Sequence, residues 1–236
     1  SRMGNLLART LVSRVNGRYH AKPPCIFEDS LTEDSAVDDH IARLATVDDD
    51  QDVLGGKGRS LARMSVAGFN VPAGFHITTA AYRAFVHSHG LQARIVELAR
   101  PRLVDRRASF DAASQEIRAL FEAHPIPEAI VAAIGGAFSD LPGMPSLAVR
   151  SSATAEDLPE LSFAGQQETL LNVTGEAALI DAVRRCWASL WTPQAISYRH
   201  QNGIDQGQVA MAVFAQVMVS SEVSGILFTA NPATGE

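Results

Sequence analysis

The 236-residue sequence predicts a globular protein of the α+β class. Segments with the apolar spacing of amphipathic helices alternate along the chain with short apolar runs of strand length. Because helical and strand-like segments follow one another in mixed order, we expect short antiparallel strands covered by helices, with parallel pairs left open. The composition agrees with this class, since 46% of the residues are hydrophobic and 19% are charged, as in ordinary globular domains.

The pattern along the chain predicts where these elements lie. Helical spacing is expected around residues 61–64, 82–86, 117–121, 130–138 and 176–190, and strands are expected at 75–78, 147–150, 169–172, 209–219 and 225–229. Gly68 is placed to end the first helix. Cys186, Trp187 and Trp191 fall on or beside the apolar stripe of the helix at 176–190, so we expect them in the core.

The first 45 residues differ from the rest and are predicted to form a mobile leader, with the folded domain at residues 46–236. Ten acidic residues and few large apolar ones occupy positions 28–52, too little apolar surface to offset the entropy of ordering. Residues 1–22 are basic and contain no acidic residue. This pattern fits either an organellar transit segment or a frayed terminus, and we favour the second.

Charge and cysteine content exclude several classes of function. The formal net charge of −6 argues against nucleic acid as a partner. No run approaches the ~18 apolar residues of a membrane span, so we expect no membrane partner. Cys25 and Cys186 have neither ligand-like spacing nor the pattern of a disulfide framework, which favours a reducing, cytoplasmic location.

A glycine-rich turn is the first candidate site. The segment 54–60 reads LGGKGRS. Backbone N–H groups of such a turn at a helix start bind anions, and Lys57 could neutralise phosphate charge. The segment is not a P-loop, because Gln51 stands where the first glycine belongs and Gly58 replaces the magnesium-binding hydroxyl. A merely flexible turn remains the alternative.

Arg150 is the second candidate, expected at the end of a buried strand where a polar loop, residues 151–167, begins. Burying an unpaired guanidinium is costly, so it should meet a carboxylate or a phosphate, and its planar fork suits both. An internal ion pair is therefore the open alternative. Glu156 and Asp157 in the loop are expected to be solvated rather than to bind metal.

Gln216 is the third candidate, since it is the one polar side chain in the apolar run 210–219. A central strand rarely carries a lone amide unless both of its ends find hydrogen-bond partners. Either a neighbouring strand or the edge of a bound heterocycle could supply them.

Four segments together resemble one family. They read GGKGRSLARMSVAGFNVPAGFHITTAAYRAF, LAVRSSATAEDLPELSFAGQQETLLNV, CWASLWTPQAISYRHQNG and VSGILFTANPATGE. In order and spacing they are similar to the amino-terminal ATP-binding domain shared by phosphoenolpyruvate synthases, pyruvate phosphate dikinases and rifampicin phosphotransferases. The resemblance covers residues 46–236. The loop SATAEDLPELSFAGQQ is closer to the synthases and rifampicin phosphotransferases than to the dikinases.

The resemblance implies an ATP-grasp-type nucleotide-binding domain, truncated before its C-terminal part. It also implies the residues that meet ATP: Lys57 and Arg150 as catalytic phosphate ligands, Gly165 and Gln166 in a loop over the phosphates, Thr169 beside them, and Gln216, Met218 and Val219 around adenine. The magnesium ligands and the carrier histidine of the family are expected downstream of this chain, so no metal ligand is assigned here.

The implied activity of the parent protein is that of a phosphoenolpyruvate-synthase-like dikinase. ATP would phosphorylate a carrier histidine, with release of AMP and phosphate, and the histidine would then phosphorylate pyruvate. The alternatives are a rifampicin phosphotransferase and a non-catalytic nucleotide-binding fragment. Pyruvate or rifampicin would bind through domains not present here, and we expect the chain on its own to be inactive.

Overall fold

The structure is a computed structural model that describes residues 39–44, 50–104, 107–154, 168–225 and 231. The described helices are α1 (Gln51–Val66), α2 (Thr79–Ser88), α3 (Gln92–Leu98), α4 (Asp111–Ala123), α5 (Glu128–Ser139), α6 (Glu176–Ser189) and α7 (Pro193–Gln201). The described strands are β1 (Ile41–Arg43), β2 (Gly74–Ile77), β3 (Arg102–Val104), β4 (Arg107–Ser109), β5 (Leu147–Ala153), β6 (Thr169–Val173) and β7 (Met211–Val217).

Five of these strands form one sheet in the order β1-β2-β7-β5-β6, and β3 pairs with β4 in a separate hairpin. Every neighbouring pair in the larger sheet is antiparallel. The mixed order of helices with an antiparallel sheet confirms the predicted α+β class.

One face of the sheet belongs to the main hydrophobic core. Alternate residues of the central strands, such as Phe75, Val149 and Val213, join a cluster of buried side chains from α2, α4, α5 and α6. Trp187 of α6 lies within this cluster, with its ring centroid 5.4 Å from that of Phe85. Burying each such side chain contributes roughly 1.5–3 kcal/mol, so this face supplies much of the stability. Trp187, Trp191 and Cys186 are all buried, as expected.

Strand β5 is longer than the sequence predicts. It continues past Arg150 to Ala153, with Ser152 opposite Ala212 and Ala153 opposite Met211 on β7. The expectation that the polar loop begins at residue 151 was therefore wrong. Ser151 donates from its backbone N–H and from Oγ to the Glu168 carbonyl, at 3.2 and 3.1 Å. The serines thus find partners inside the fold, and Arg150 lies in the middle of the strand.

A short strand lies within the stretch assigned to the mobile leader. Residues 41–43 form β1, which pairs with β2 through Ile41 opposite Ile77. The Thr78 backbone N–H also donates to the His40 carbonyl at 2.9 Å. Residues 41–43 are thus part of the folded sheet, and His40 is hydrogen-bonded to the residue that follows β2. Residues 1–38 and 45–49, and residues 226–230 of the strand expected at 225–229, lie outside the described ranges.

The chain divides into two compact units, Leu31–Met218 and a unit made of Ser1–Ser30 with Val219–Glu236. All of the helices and strands named above belong to the first unit. Within the described parts of the chain, no helix combines the length and the apolar character that crossing a bilayer requires.

Candidate functional site

A row of four side chains crosses the face of the sheet opposite the main core. His76 on β2 lies opposite Phe214 on β7, and Phe214 lies opposite Arg150 on β5. Arg150 in turn lies opposite Thr169, the first residue of β6. Residues directly opposite one another in a sheet point to the same side. The register therefore brings Arg150 and Thr169 together, as the resemblance implies.

Helix α1 covers this face through its glycine-rich segment. The backbone N–H of Gly58 donates to Ser152 Oγ at 3.0 Å, and Ser152 lies two residues along β5 from Arg150, on the same side. Lys57 Nζ donates to the Ser151 carbonyl at 3.5 Å. The predicted lysine therefore lies over the strand that carries Arg150.

Gly55 breaks α1 and starts a second helical segment beside the sheet. Its φ of 68° and ψ of 175° are not helical, in a region that is essentially restricted to glycine. A Cβ added at this position would lie 2.2 Å from the Ser152 carbonyl oxygen. Lys57 consequently falls in the first turn of a helical segment, where backbone N–H groups and the helix dipole favour anions.

Gln216 lies on the same face, in a second row about 7 Å along the strands from the first. Its neighbours across the sheet are Gly74 on β2 and Ala148 on β5. Both are small, and a Cβ added at Gly74 would lie 3.1 Å from the Phe214 ring, so the sheet is closely packed at that position. Gln216 is buried, and its Nε2 donates to the Pro72 carbonyl at 3.4 Å. Among the described residues the protein thus supplies one partner, at a distance longer than that of a typical hydrogen bond.

The remaining predicted residues are Met218, Val219, Gly165 and Gln166. Met218 follows β7 and is half-buried, with its N–H donating to the Ser146 carbonyl at 2.9 Å. Val219 is 43% exposed and belongs to the other compact unit. Gly165 and Gln166 lie outside the described residues. Lys57, Arg150, Thr169 and Gln216 are therefore the predicted residues that the fold places at one face.

His76 is a site residue that the sequence reasoning missed. It is fully buried, and its ring stacks on Phe214 with centroids 4.5 Å apart. Burial lowers the pKa of its imidazole to about 4. The sequence does show a histidine inside the apolar strand segment Phe75–Ile77. Periodicity alone assigns such a position to the core and not to a site.

A concave region lies between α4 and α6, away from the row. It has a volume of about 320 Å³ and is lined by Arg118, Glu122, Asp181, Arg184, Arg185 and Ala188. Two of its arginines are already engaged, Arg184 with Asp181 at 2.7 Å and Arg185 with Glu168 at 2.6 Å. Most of its charge is therefore balanced. Across the described ranges, no group of three or more His, Cys, Asp or Glu side chains is arranged to hold a metal ion.

Comparison with known families shows the family of the chain. Residues 51–236 match the family model described as the pyruvate phosphate dikinase, AMP/ATP-binding domain. The chain belongs to this family. The match begins at the first residue of α1 and includes the glycine-rich segment, the row and Gln216, and it confirms the resemblance inferred from the four sequence segments.

Several curated members of the dikinase family are similar over most of the chain. A rifampicin phosphotransferase from Streptomyces sviceus is 47% identical over 83% of this chain. A phosphoenolpyruvate synthase from Aeropyrum pernix is 46% identical over 78% of it, and a rifampicin phosphotransferase from Bacillus subtilis is 44% identical over 77%. These matches cover 23%, 23% and 21% of the relatives. The chain thus spans about a quarter of their length.

Proposed function

We propose that the sheet face carrying Arg150 binds ATP within an ATP-grasp-type domain. The observation that carries the proposal is the register, because it aligns Arg150 with Thr169 and turns both towards the segment that holds Lys57. Two cations and a hydroxyl at one face suit a chain of phosphates. Gln216 lies one row away, and its buried amide could form hydrogen bonds with the edge of an adenine ring.

Each of these residues has a distinct task in the proposed site. Arg150 presents a planar fork that can bind two phosphate oxygens, whereas Lys57 acts as a compact charge near the helix start. Positioned cations of this kind stabilise the charge that develops during phosphoryl transfer. Gln216 would orient adenine through its amide, and Met218, with its backbone groups, would line the same pocket. Val219, Gly165 and Gln166 remain proposed ligands on the grounds of resemblance alone.

We propose that the parent protein is a dikinase of the phosphoenolpyruvate synthase kind, cytoplasmic, with pyruvate as the final acceptor. The relatives named phosphoenolpyruvate synthase support this, and those named rifampicin phosphotransferase support rifampicin as the alternative acceptor. Magnesium is part of the proposal, but the described residues offer no cluster to hold it, so we derive no step through it. The inactivity of these 236 residues on their own remains a prediction.

Replacing Arg150 with alanine tests the proposal. We expect ATP binding to weaken by about 2–4 kcal/mol, the scale for losing one positioned stabilising group. The free energy of unfolding should change by about 1 kcal/mol or less, because Arg150 is half-buried and its replacement leaves a position that water can reach. Calorimetric titration with ATP and urea unfolding measure the two quantities on the same variant.

Arg184→Ala is the matched control, since it removes an arginine from the cavity between α4 and α6. Its ATP affinity should equal that of the unmodified chain. The proposal fails if Arg150→Ala loses about 3–5 kcal/mol of stability while its folded fraction binds ATP normally. That result would identify Arg150 as half of a buried ion pair.

A further inference from the structure

His76 has a polar side chain that the fold does not use. The ring is fully buried, and neither Nδ1 nor Nε2 has a hydrogen-bond partner among the residues that the structure describes. Leaving buried polar atoms unpaired costs free energy, and a phenylalanine would make the same stack on Phe214 without that cost. An apolar ring would therefore pack at this position as well as the imidazole does.

The ring lies directly beneath the glycine-rich segment. A Cβ added to Gly58 would lie 3.0 Å from His76 Nδ1, so the edge of the imidazole contacts the residue that follows Lys57. Across the sheet, Phe214 separates His76 from Arg150. Strands are spaced about 4.8 Å apart, which places these two side chains about 10 Å from each other. His76 thus belongs to the same row as the proposed phosphate ligands.

Burial keeps the ring neutral without a ligand, because it lowers the pKa of the imidazole to about 4. Lys57 and Arg59 flank Gly58 on α1, and Arg150 lies two strands away on β5, whereas β1 and β7 place Ala42 and Phe214 opposite the ring. These three charged groups are cations, so none of them offsets the effect of burial on the protonated form. An anion bound at this segment would reverse that balance, because an opposite charge nearby favours the protonated form.

We infer that His76 is a latent cation of the nucleotide site, which takes up a proton from solvent when the phosphates of ATP bind over residues 55–58. The inference rests on the proposed function. By linkage, a ligand that favours the protonated form binds more tightly as the pH falls. The histidine adds positive charge beneath the phosphates only when they are present, so the empty site does not contain a buried imidazolium.

Calorimetry at pH 5.5 in two buffers of different ionisation enthalpy measures the proton uptake that accompanies ATP binding. We expect the unmodified chain to take up about half a proton more per ATP than His76→Phe does. Between pH 7.5 and pH 5.5 its ATP affinity should rise about twofold relative to that variant, the change by linkage that corresponds to this proton uptake. Protonation of ATP itself is the same in both proteins, so it cancels in the difference.

Three controls make the result specific. His87→Gln removes an exposed histidine from α2 and should retain the uptake. Adenosine lacks phosphates and should cause no uptake through His76, whereas inorganic tripolyphosphate should cause it. A ¹³Cε1-labelled histidine spectrum of the unmodified chain reports the protonation of His76 directly, with and without ATP, and needs no variant to fold.

The outcomes separate this inference from the proposed function. If ATP binds, Arg150→Ala weakens it, and the proton uptake of His76→Phe equals that of the unmodified chain, the inference is wrong and the proposed function stands. A histidine spectrum in which His76 stays neutral at pH 5.5 with ATP bound would also show that the inference is wrong and would leave the proposed function intact. If the unmodified chain binds neither ATP nor tripolyphosphate, the proposed function itself fails.

Discussion

Replacing Gly55 with alanine is expected to destabilise the chain by about 3–5 kcal/mol and to abolish ATP binding. The backbone there has φ 68° and ψ 175°, where a side chain costs about 1–3 kcal/mol. The new methyl group would also meet the Ser152 carbonyl, with 2.2 Å between the Cβ and the oxygen. Because that oxygen is backbone in β5, it cannot move aside cheaply, and overpacking adds about 1–3 kcal/mol.

Gly68→Ala is the matched control for this prediction. Gly68 also has a positive φ, 82°, but nothing lies within 4 Å of an added Cβ. The Gly68→Ala substitution should therefore lower the free energy of unfolding by only about 1–2 kcal/mol, the cost of the backbone conformation alone. Urea unfolding of both variants measures the difference. Equal losses at the two positions would show that the close approach of α1 to β5 is not what requires glycine at residue 55.

Replacing Arg199 with methionine is expected to cost about 3–5 kcal/mol, even though it removes a buried charge. Arg199 is 1% exposed; its Nε donates to Gln206 Oε1 at 2.7 Å and its Nη1 to the Leu190 carbonyl at 2.9 Å. The guanidinium also lies 4.9 Å from the centre of the Trp191 ring. Losing the cation strands two acceptors at about 1–3 kcal/mol each and removes a cation–π contact.

The opposing effect is desolvation, which lowers the pKa of Arg199 to about 10. Within the described part of the chain, no carboxylate forms an ion pair with Arg199. Methionine needs no hydration, so the substitution removes the free-energy cost of burying the charge, and this gain opposes the loss of the hydrogen bonds. Arg94→Met serves as control, because Arg94 is half exposed and its ion pair with Glu97 should contribute about 1 kcal/mol or less. Thermal and urea unfolding compare the two. A methionine variant as stable as the parent would mean that desolvation dominates at Arg199.

Much of the fold could be predicted because periodicity and apolar content govern it. The helices that contain Tyr82, Ile117 and Trp187 and the strand that contains Gln216 all lie where their patterns place them. The prediction of the end of β5 was wrong because hydrogen bonds to distant residues keep polar side chains in the strand. Ser151 and Ser152 read as loop residues, yet Glu168 and Gly58, distant in sequence, supply the hydrogen bonds that keep them in β5.

The candidate site was predictable in its residue types but not in its arrangement. Lys57, Arg150 and Gln216 each stood out as a charge or an amide in an apolar or glycine-rich context. What aligned them was the strand order, which the sequence pattern does not specify. His76 was missed for the opposite reason, since a buried imidazole looks like any other core residue until the row of neighbours on β7 and β5 is known.

The central claim is that ATP binds the sheet face under α1, and an amide chemical-shift titration of the ¹⁵N-labelled chain with ATP tests it most directly. We expect the largest shifts at Lys57, Arg150, Thr169 and Gln216, with smaller ones along residues 55–58. The residues that line the cavity between α4 and α6 should stay unchanged. Shifts concentrated at Arg118, Arg184 and Arg185, with the row unaffected, would contradict the account and place the nucleotide on the opposite side of the sheet.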